Sequence, residues 1–429
     1  MIRRIIAGMG ANSFGMAVTI GIQLASLPLF LRYWDIATYG TWLMLSAIPS
    51  YLAMADVGMV TAAGNKMTMA MGKGDALEAN RVFQSAQMFM VIVCGTLGLL
   101  VVPLMLAAPL PSVATMDQRI ALAALSTSVL VSLFGGLSEA AFKSTKRYAT
   151  GTMVTTLVRV AEWVGFMIGL VAVGNFAAVA ISGLAVRLIG TAICMLLARR
   201  GKHDLHWGIR AAAKTEILSM FKPAVSFMAF PLANALSFQG VTLLVGVVFG
   251  PVAVAMFNTY RTIARVAVQI TAVFSYALWP EFSRLFGQGA NVSLNKLFRR
   301  SAVLGAAQSF FLSLILYYLS TWLLKIWTHG AIEFVPSLML LMLLYAAVGG
   351  AWHIPRVFLM ATNQHVDLAY WSIAAGAFSV AAAWLLSSSM HLNGVALAMM
   401  VSEFIIASVC TWLAIRAATG KVKTSLVIQ

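Results

Sequence analysis

Charge is the scarcest property of this chain: 10% of its 429 residues are Asp, Glu, Lys or Arg, and only 13 residues are acidic. With 61% hydrophobic residues and a mean hydropathy of +0.90, a soluble globular protein is excluded, because polar groups could not cover its surface. Cysteine is nearly absent. Cys94, Cys194 and Cys410 sit singly in apolar segments, which argues against a disulfide framework or a metal cluster. There is no H-E-x-x-H, no nucleophile elbow and no phosphate loop ending in G-K-[ST], so no catalytic residue, metal or cofactor is expected. Long external loops are also missing, and with them the acceptor sites that membrane enzymes working on lipid-linked sugars commonly carry.

What the chain has instead is apolar length. A membrane-crossing helix needs about 20 mostly apolar residues, and twelve such runs occur, at 11–33, 41–63, 82–107, 118–142, 150–173, 177–198, 224–249, 252–279, 301–324, 335–358, 366–387 and 394–415. A β-barrel would show short alternating segments in their place. The expected fold is therefore an all-α polytopic membrane protein of twelve transmembrane helices. The N-terminal run continues to Leu31 without a clear cleavage site and reads as a retained first span.

Those runs fall into two halves. GKGDALEANRVF at 72–83 and GQGANVSLNKLF at 287–298 share the pattern G-x-G-x5-N-[RK]-[VL]-F. Weaker echoes follow in the same order: Gly135-Gly136 with Gly349-Gly350, residues 144–148 with 361–365, and Asn175 with Asn393. A duplicated half explains them. The expected domains are pseudo-symmetric six-helix bundles at 1–210 and 211–429, joined near 199–222.

Lys and Arg set the orientation. If the N-terminus is cytoplasmic, the outside loops hold only Arg32, Arg119 and Lys325, while nearly all other basic residues lie inside. This is a positive-inside bias, and it places both termini in the cytoplasm. The formal charge of +16 is thus mainly a topology signal. It implies no nucleic-acid partner, although a basic inner face attracts anionic membrane lipid at about 1 kcal/mol per residue.

Four arginines remain inside the spans. A mid-span arginine costs about 2.5–3.5 kcal/mol on insertion scales, so it is expected to face a wet cavity or a partner. Arg261 and Arg265 are four residues apart and share a helix face, where like charges repel unless an anion bridges them. Tyr260 and Gln269 are near in sequence. Arg187 has no acidic residue within a turn, whereas Arg159 has Glu162 three residues on and is expected to pair with it, with a cavity-lining role as the alternative. Asp56, Glu139, Glu162 and Glu403 are the span carboxylates, read either as proton or sodium sites or as partners for the arginines. Helix breakers fall at Pro28, Pro49, Pro231 and in GGAWHIPR at 349–356, where Trp352 and His353 read as a gate, a sugar contact or packing. Trp34, Trp42, Trp279, Trp322 and Trp327 lie near span ends and read as an interfacial belt.

These residues also support a resemblance. LPLFLRYWDIATYGTWLMLSAIPSYLAMADVGMVTAAGNKM, with Tyr39-Gly40, Tyr51-Leu52, Asp56-x-Gly58 and Asn65, is similar to the opening spans of Wzx-type polysaccharide flippases. These belong to the multidrug/oligosaccharidyl-lipid/polysaccharide exporter superfamily. Gly250-Pro251, Arg261 and LWPEFSRL at 278–285 look like the same family. The resemblance implies two helix bundles around a cationic cavity that flips an undecaprenyl-diphosphate-linked oligosaccharide to the outer leaflet of the inner membrane by alternating access. It also implies Arg187, Arg261 and Arg265 as pyrophosphate ligands, and polysaccharide polymerase machinery as a partner. The rival within the superfamily is a proton- or sodium-coupled multidrug exporter using Asp56 and Glu403. An enzyme acting on lipid-linked sugar and a lipid II flippase, which usually has fourteen spans, are weaker rivals.

Overall fold

The computed structural model describes residues 2–107, 113–200, 205–362 and 364–419. The expected outer loop at 108–117 is only partly within these residues. Lys202, Asn363, Lys421 and Lys423 lie outside them, as do the side chains of Arg3, Arg4, Lys222 and Arg284.

Two compact units are present, residues 1–231 and 232–429. In the first, the crossings are α1 (Ile2–Leu31), a bent pair, α4 (Ala76–Ala107), α5 (Met116–Ser144), α6 (Tyr148–Ala172) and α7 (Phe176–Arg199). The bent pair is Ile36–Met54, which comprises α2 (Ile36–Ala47) and a following 3-10 turn, with α3 (Met59–Lys73), and the two are bent by 42°. Helix α8 (Lys214–Ala235) begins in the first unit, and with α9 (Val241–Phe249) it supplies the next span, Met228–Phe249. The remaining crossings are α10 (Pro251–Gly287), α11 (Asn291–Trp327), the broken pair α12 (Pro336–Ala351) and α13 (His353–Ala361), and α14 (Val366–Ala418). His391 (φ 51, ψ −137) breaks the 53-residue α14 into two arms, and each arm is a crossing. Among the described residues the chain is a multi-pass, all-helical membrane protein, with eleven apolar spans when the bent pair counts as one and twelve when the two arms of α14 count separately.

Local chemistry sets the helix ends. Asp35 caps α2 by accepting from the Thr38 N–H at 2.7 Å, and its hydrogen bonds to Thr38 hold its carboxyl below the usual range. Thr115 and Gln118 form a capping box on α5. Gly74 (φ 81) and Gly289 (φ 65) are the second glycines of the repeated G-x-G pair. Each turns the chain from the second span of its half into the third, in a backbone region that disfavours a side chain. Pro49 starts a 3-10 turn, Pro49–Met54, that interrupts the second predicted span. The break in GGAWHIPR falls at Trp352, between α12 and α13.

The first unit packs Met59, Met67, Phe83 and Met90 against Leu137 and Phe142. Helices α6 and α7 approach through small residues. A Cβ on Gly169 would lie 2.5 Å from the Ala178 carbonyl oxygen, and one on Gly183 would lie 2.0 Å from the Phe166 ring. Without a hydrophobic drive between helices in lipid, such close backbone contact is what holds them together.

The unit division falls inside α8, beyond the boundary expected at 210/211. Segment 205–213 belongs to the first unit because α4 holds its backbone. The Asn80 amide oxygen accepts from the His206 N–H, Gln87 from Gly208, Gln84 from Ala211, and the Ser85 hydroxyl from Ala213, at 2.6–3.0 Å. The Trp207 ring meets Phe83 edge-on at 5.0 Å, and Lys66 pairs with Glu216 at 2.6 Å. Asn80 and Phe83 are two of the repeated residues, so in the first half the motif anchors the connection between the units.

The tryptophan reading needs correction at two positions. Trp34 and Trp42 are buried in a cluster with Phe30, and Trp34 donates its indole N–H to the Gly174 carbonyl. That satisfied donor and the surrounding rings make them packing residues and not surface anchors.

Candidate functional site

In the first unit, the charges on α6 and α7 largely satisfy one another. Arg187 on α7 forms an ion pair with Glu162 on α6, whose other oxygen accepts from the Ser128 hydroxyl at 2.6 Å. The glycine-lined seam brings the two helices close enough for this contact. It overturns one expectation. Glu162 does not pair with Arg159, which instead donates to the Thr19 hydroxyl at 2.8 Å. Arg187, expected as a pyrophosphate ligand, has Glu162 as its ion-pair partner.

Asp56 sits in the turn between the two arms of the bent span. Its carboxylate accepts from the Gly58 N–H at 3.0 Å, while Val57 (φ 50) and Gly58 (φ 76) adopt left-handed backbone. This local hydrogen bond stabilises the turn. Glu139 on α5 lies within electrostatic range of Arg159 and Lys143. Lys143 in turn donates to the Asn65 side chain at 2.8 Å.

The second unit holds its cations differently. A π-helical turn, Leu236–Gly240, interrupts the span between α8 and α9 and redirects the Phe238 carbonyl. Arg261 on α10 is 6% exposed and donates to that carbonyl at 3.1 Å. It also donates to the Thr242 hydroxyl at 2.7 Å and to the Asn258 amide oxygen. Its guanidinium lies 4.5 Å from the Phe238 ring centroid, and that of Arg265, one turn on, lies 4.3 Å from the same ring. Both are therefore cation–π contacts. No acidic side chain among the described residues pairs with either arginine. Tyr345 is within electrostatic range of both arginines and of Glu403. Tyr260 points elsewhere: its hydroxyl donates to the Glu333 carbonyl and accepts from the Val335 N–H, both at 2.6 Å.

At the α12–α13 break the Trp352 indole donates to Glu403 at 2.7 Å, and the Arg356 guanidinium sits 5.7 Å from the Trp352 ring. His353 is buried edge-on against Tyr276 at 5.4 Å, with no hydrogen bond to its Nδ1 among the described residues. Trp352 and Glu403 thus satisfy each other, and His353 is a packed ring. One cavity in the first unit, of about 500 Å³, is apolar: Val91, Cys94, Gly95, Gly98, Leu130 and Phe134 are among its lining residues, and none of the candidate charges lines it.

Phe238, Thr242 and Asn258 are site residues that sequence reading missed. Asn258 had a signal, since it lies three residues before Arg261 on the same helix face. The π-turn that turns Phe238 toward α10 had none.

The whole architecture matches solved membrane transporters. An inward-facing multidrug resistance MATE family transporter of the MOP superfamily superposes with a TM-score of 0.80 at 10% identity, covering 96% of each chain. An outward-facing one gives 0.67 at 13% identity, covering 98% of this chain and 96% of its own. A MOP superfamily transporter from Pyrococcus furiosus, described as having a binding pocket of reverse polarity that suggests a different function, gives 0.65 at 13% identity over 98% and 96%. At these identities the likeness establishes a MATE-type transporter fold. No protein-family model and no curated protein matches the sequence.

Proposed function

We propose that this chain is an exporter whose substrate carries an anionic diphosphate: an undecaprenyl-diphosphate-linked oligosaccharide moved from the cytoplasmic to the outer leaflet of the inner membrane. One observation carries the reading. Arg261 and Arg265 stand one turn apart inside a spanning helix, and no described carboxylate neutralises them. Two cations so placed attract an anion to the site, and guanidinium groups bind phosphate through paired hydrogen bonds. A head group with about two negative charges is driven outward by an inside-negative potential at about 2.3 kcal/mol per charge per 100 mV, so ion coupling is optional. Alternating access, cytoplasmic termini and a place beside polysaccharide polymerase machinery belong to the same proposal.

A second reading, a cation-coupled multidrug exporter, draws more support from the solved neighbours, two of which are described as multidrug resistance transporters. Within the chain, Asp56 and Glu139 support it, because neither forms an ion pair among the described residues. Purified protein in liposomes separates the two. Movement of a lipid-diphosphate sugar that stops in Arg265→Glu supports the first reading. Efflux of a cationic dye that stops in Asp56→Asn, with no lipid movement, establishes the second.

A further inference from the structure

Resting on the anionic-substrate reading, we infer that the two arginines divide the work: Arg265 alone meets the anion, and Arg261 is a positioning residue that fixes the π-turn and the Phe238 ring behind it. Three of the five N–H donors of Arg261 are already committed. One terminal nitrogen holds the Phe238 carbonyl, and the other holds Thr242 and Asn258. The Phe238 carbonyl also accepts from the Val241 N–H and the Thr242 hydroxyl, so three donors converge on the point where the helix gains its extra residue. An anion reaching Arg261 would have to displace these acceptors from a buried pocket walled by Phe238 and Phe257.

Arg265 is arranged the opposite way. It is half-buried, its guanidinium carbon lies 4.3 Å over the centroid of the Phe238 ring, and among the described residues no oxygen accepts a hydrogen bond from it. Stacking occupies the flat face of a guanidinium and leaves the N–H groups at its edge pointing outward in the plane, which is the geometry that grips a phosphate in bidentate fashion. Phe238 links the two roles. Its carbonyl is held by Arg261 while its ring supports Arg265, so loosening the first disturbs the second without removing the binding charge. The chemistry recognised is a phosphate or diphosphate, whether carried on an isoprenoid or free.

The test uses the full chain in phosphatidylcholine nanodiscs, with farnesyl diphosphate and inorganic pyrophosphate as probes and thermal unfolding measured in parallel. Arg265→Gln is expected to weaken diphosphate binding at least tenfold with no change in Tm, and Arg265→Lys to retain only part of it, since the charge remains but the bidentate fork is lost. Arg261→Gln is expected to lower Tm and to weaken binding less, and Arg261→Lys to behave like Arg261→Gln, because a single ammonium nitrogen cannot span acceptors that two guanidinium nitrogens hold. Thr242→Val should reproduce part of the Arg261 effect and be non-additive with it. Tighter binding of farnesyl diphosphate than of pyrophosphate identifies a lipid-borne ligand, and equal binding a free one; either is consistent with the division. Unchanged binding in Arg265→Gln, rescue of binding by Arg261→Lys, or a lower Tm in Arg261→Gln with wild-type affinity would each overturn the division while leaving the anionic reading in place. Wild-type protein that binds neither probe would overturn both.

Discussion

Arg187 and Glu162 meet across the α6–α7 seam, and Ser128 on α5 completes the carboxylate's hydrogen bonding, tying three spans through one ion pair. Removing one partner leaves the other charge buried without compensation. Glu162→Gln should destabilise the protein by about 3 kcal/mol, and Glu162→Gln with Arg187→Met should recover most of that loss. Thermal unfolding in detergent measures both.

The seam itself depends on missing side chains. Gly183→Ala would press a methyl group into the Phe166 ring and should cost about 1–3 kcal/mol, read as lower Tm and lower yield of folded protein. Gly95→Ala, where a Cβ meets nothing within 4 Å, should be tolerated and serves as the control.

The connection between the units is held by side chains of α4. Gln84→Ala removes an acceptor for the Ala211 N–H and a donor to the His206 carbonyl, and should cost about 1–3 kcal/mol. Limited trypsin digestion should then cleave at Arg210 or Lys214 faster than in the wild type. Equal rates would show that the segment is held by other means.

Much of the fold was legible because lipid imposes a simple rule. Apolar runs of sufficient length gave the twelve crossings, and the repeated G-x-G pair marked equivalent turns whose second glycines adopt positive φ. The breaks at Pro49 and Trp352 were readable from the residues that cause them. Partnerships between helices were not. Arg159 and Glu162 are three apart, the right spacing to pair, yet Glu162 turns to Arg187 on the next helix. Periodicity cannot show which neighbour a side chain faces. Trp34 was misread in a similar way: its position near a span end suggested an interface, but its ring packs on Phe30 and Phe176. The π-turn at 236–240 had no sequence signature, so the acceptors that commit Arg261 emerged only from the structure.

The central claim is that the second unit binds an anionic diphosphate through Arg265. The most direct measurement is competition on purified wild-type protein between a fluorescent isoprenoid diphosphate and a cationic dye. The account predicts saturable diphosphate binding that survives excess dye and falls at least tenfold in Arg265→Gln. Saturable dye binding with no measurable affinity for the diphosphate would contradict it.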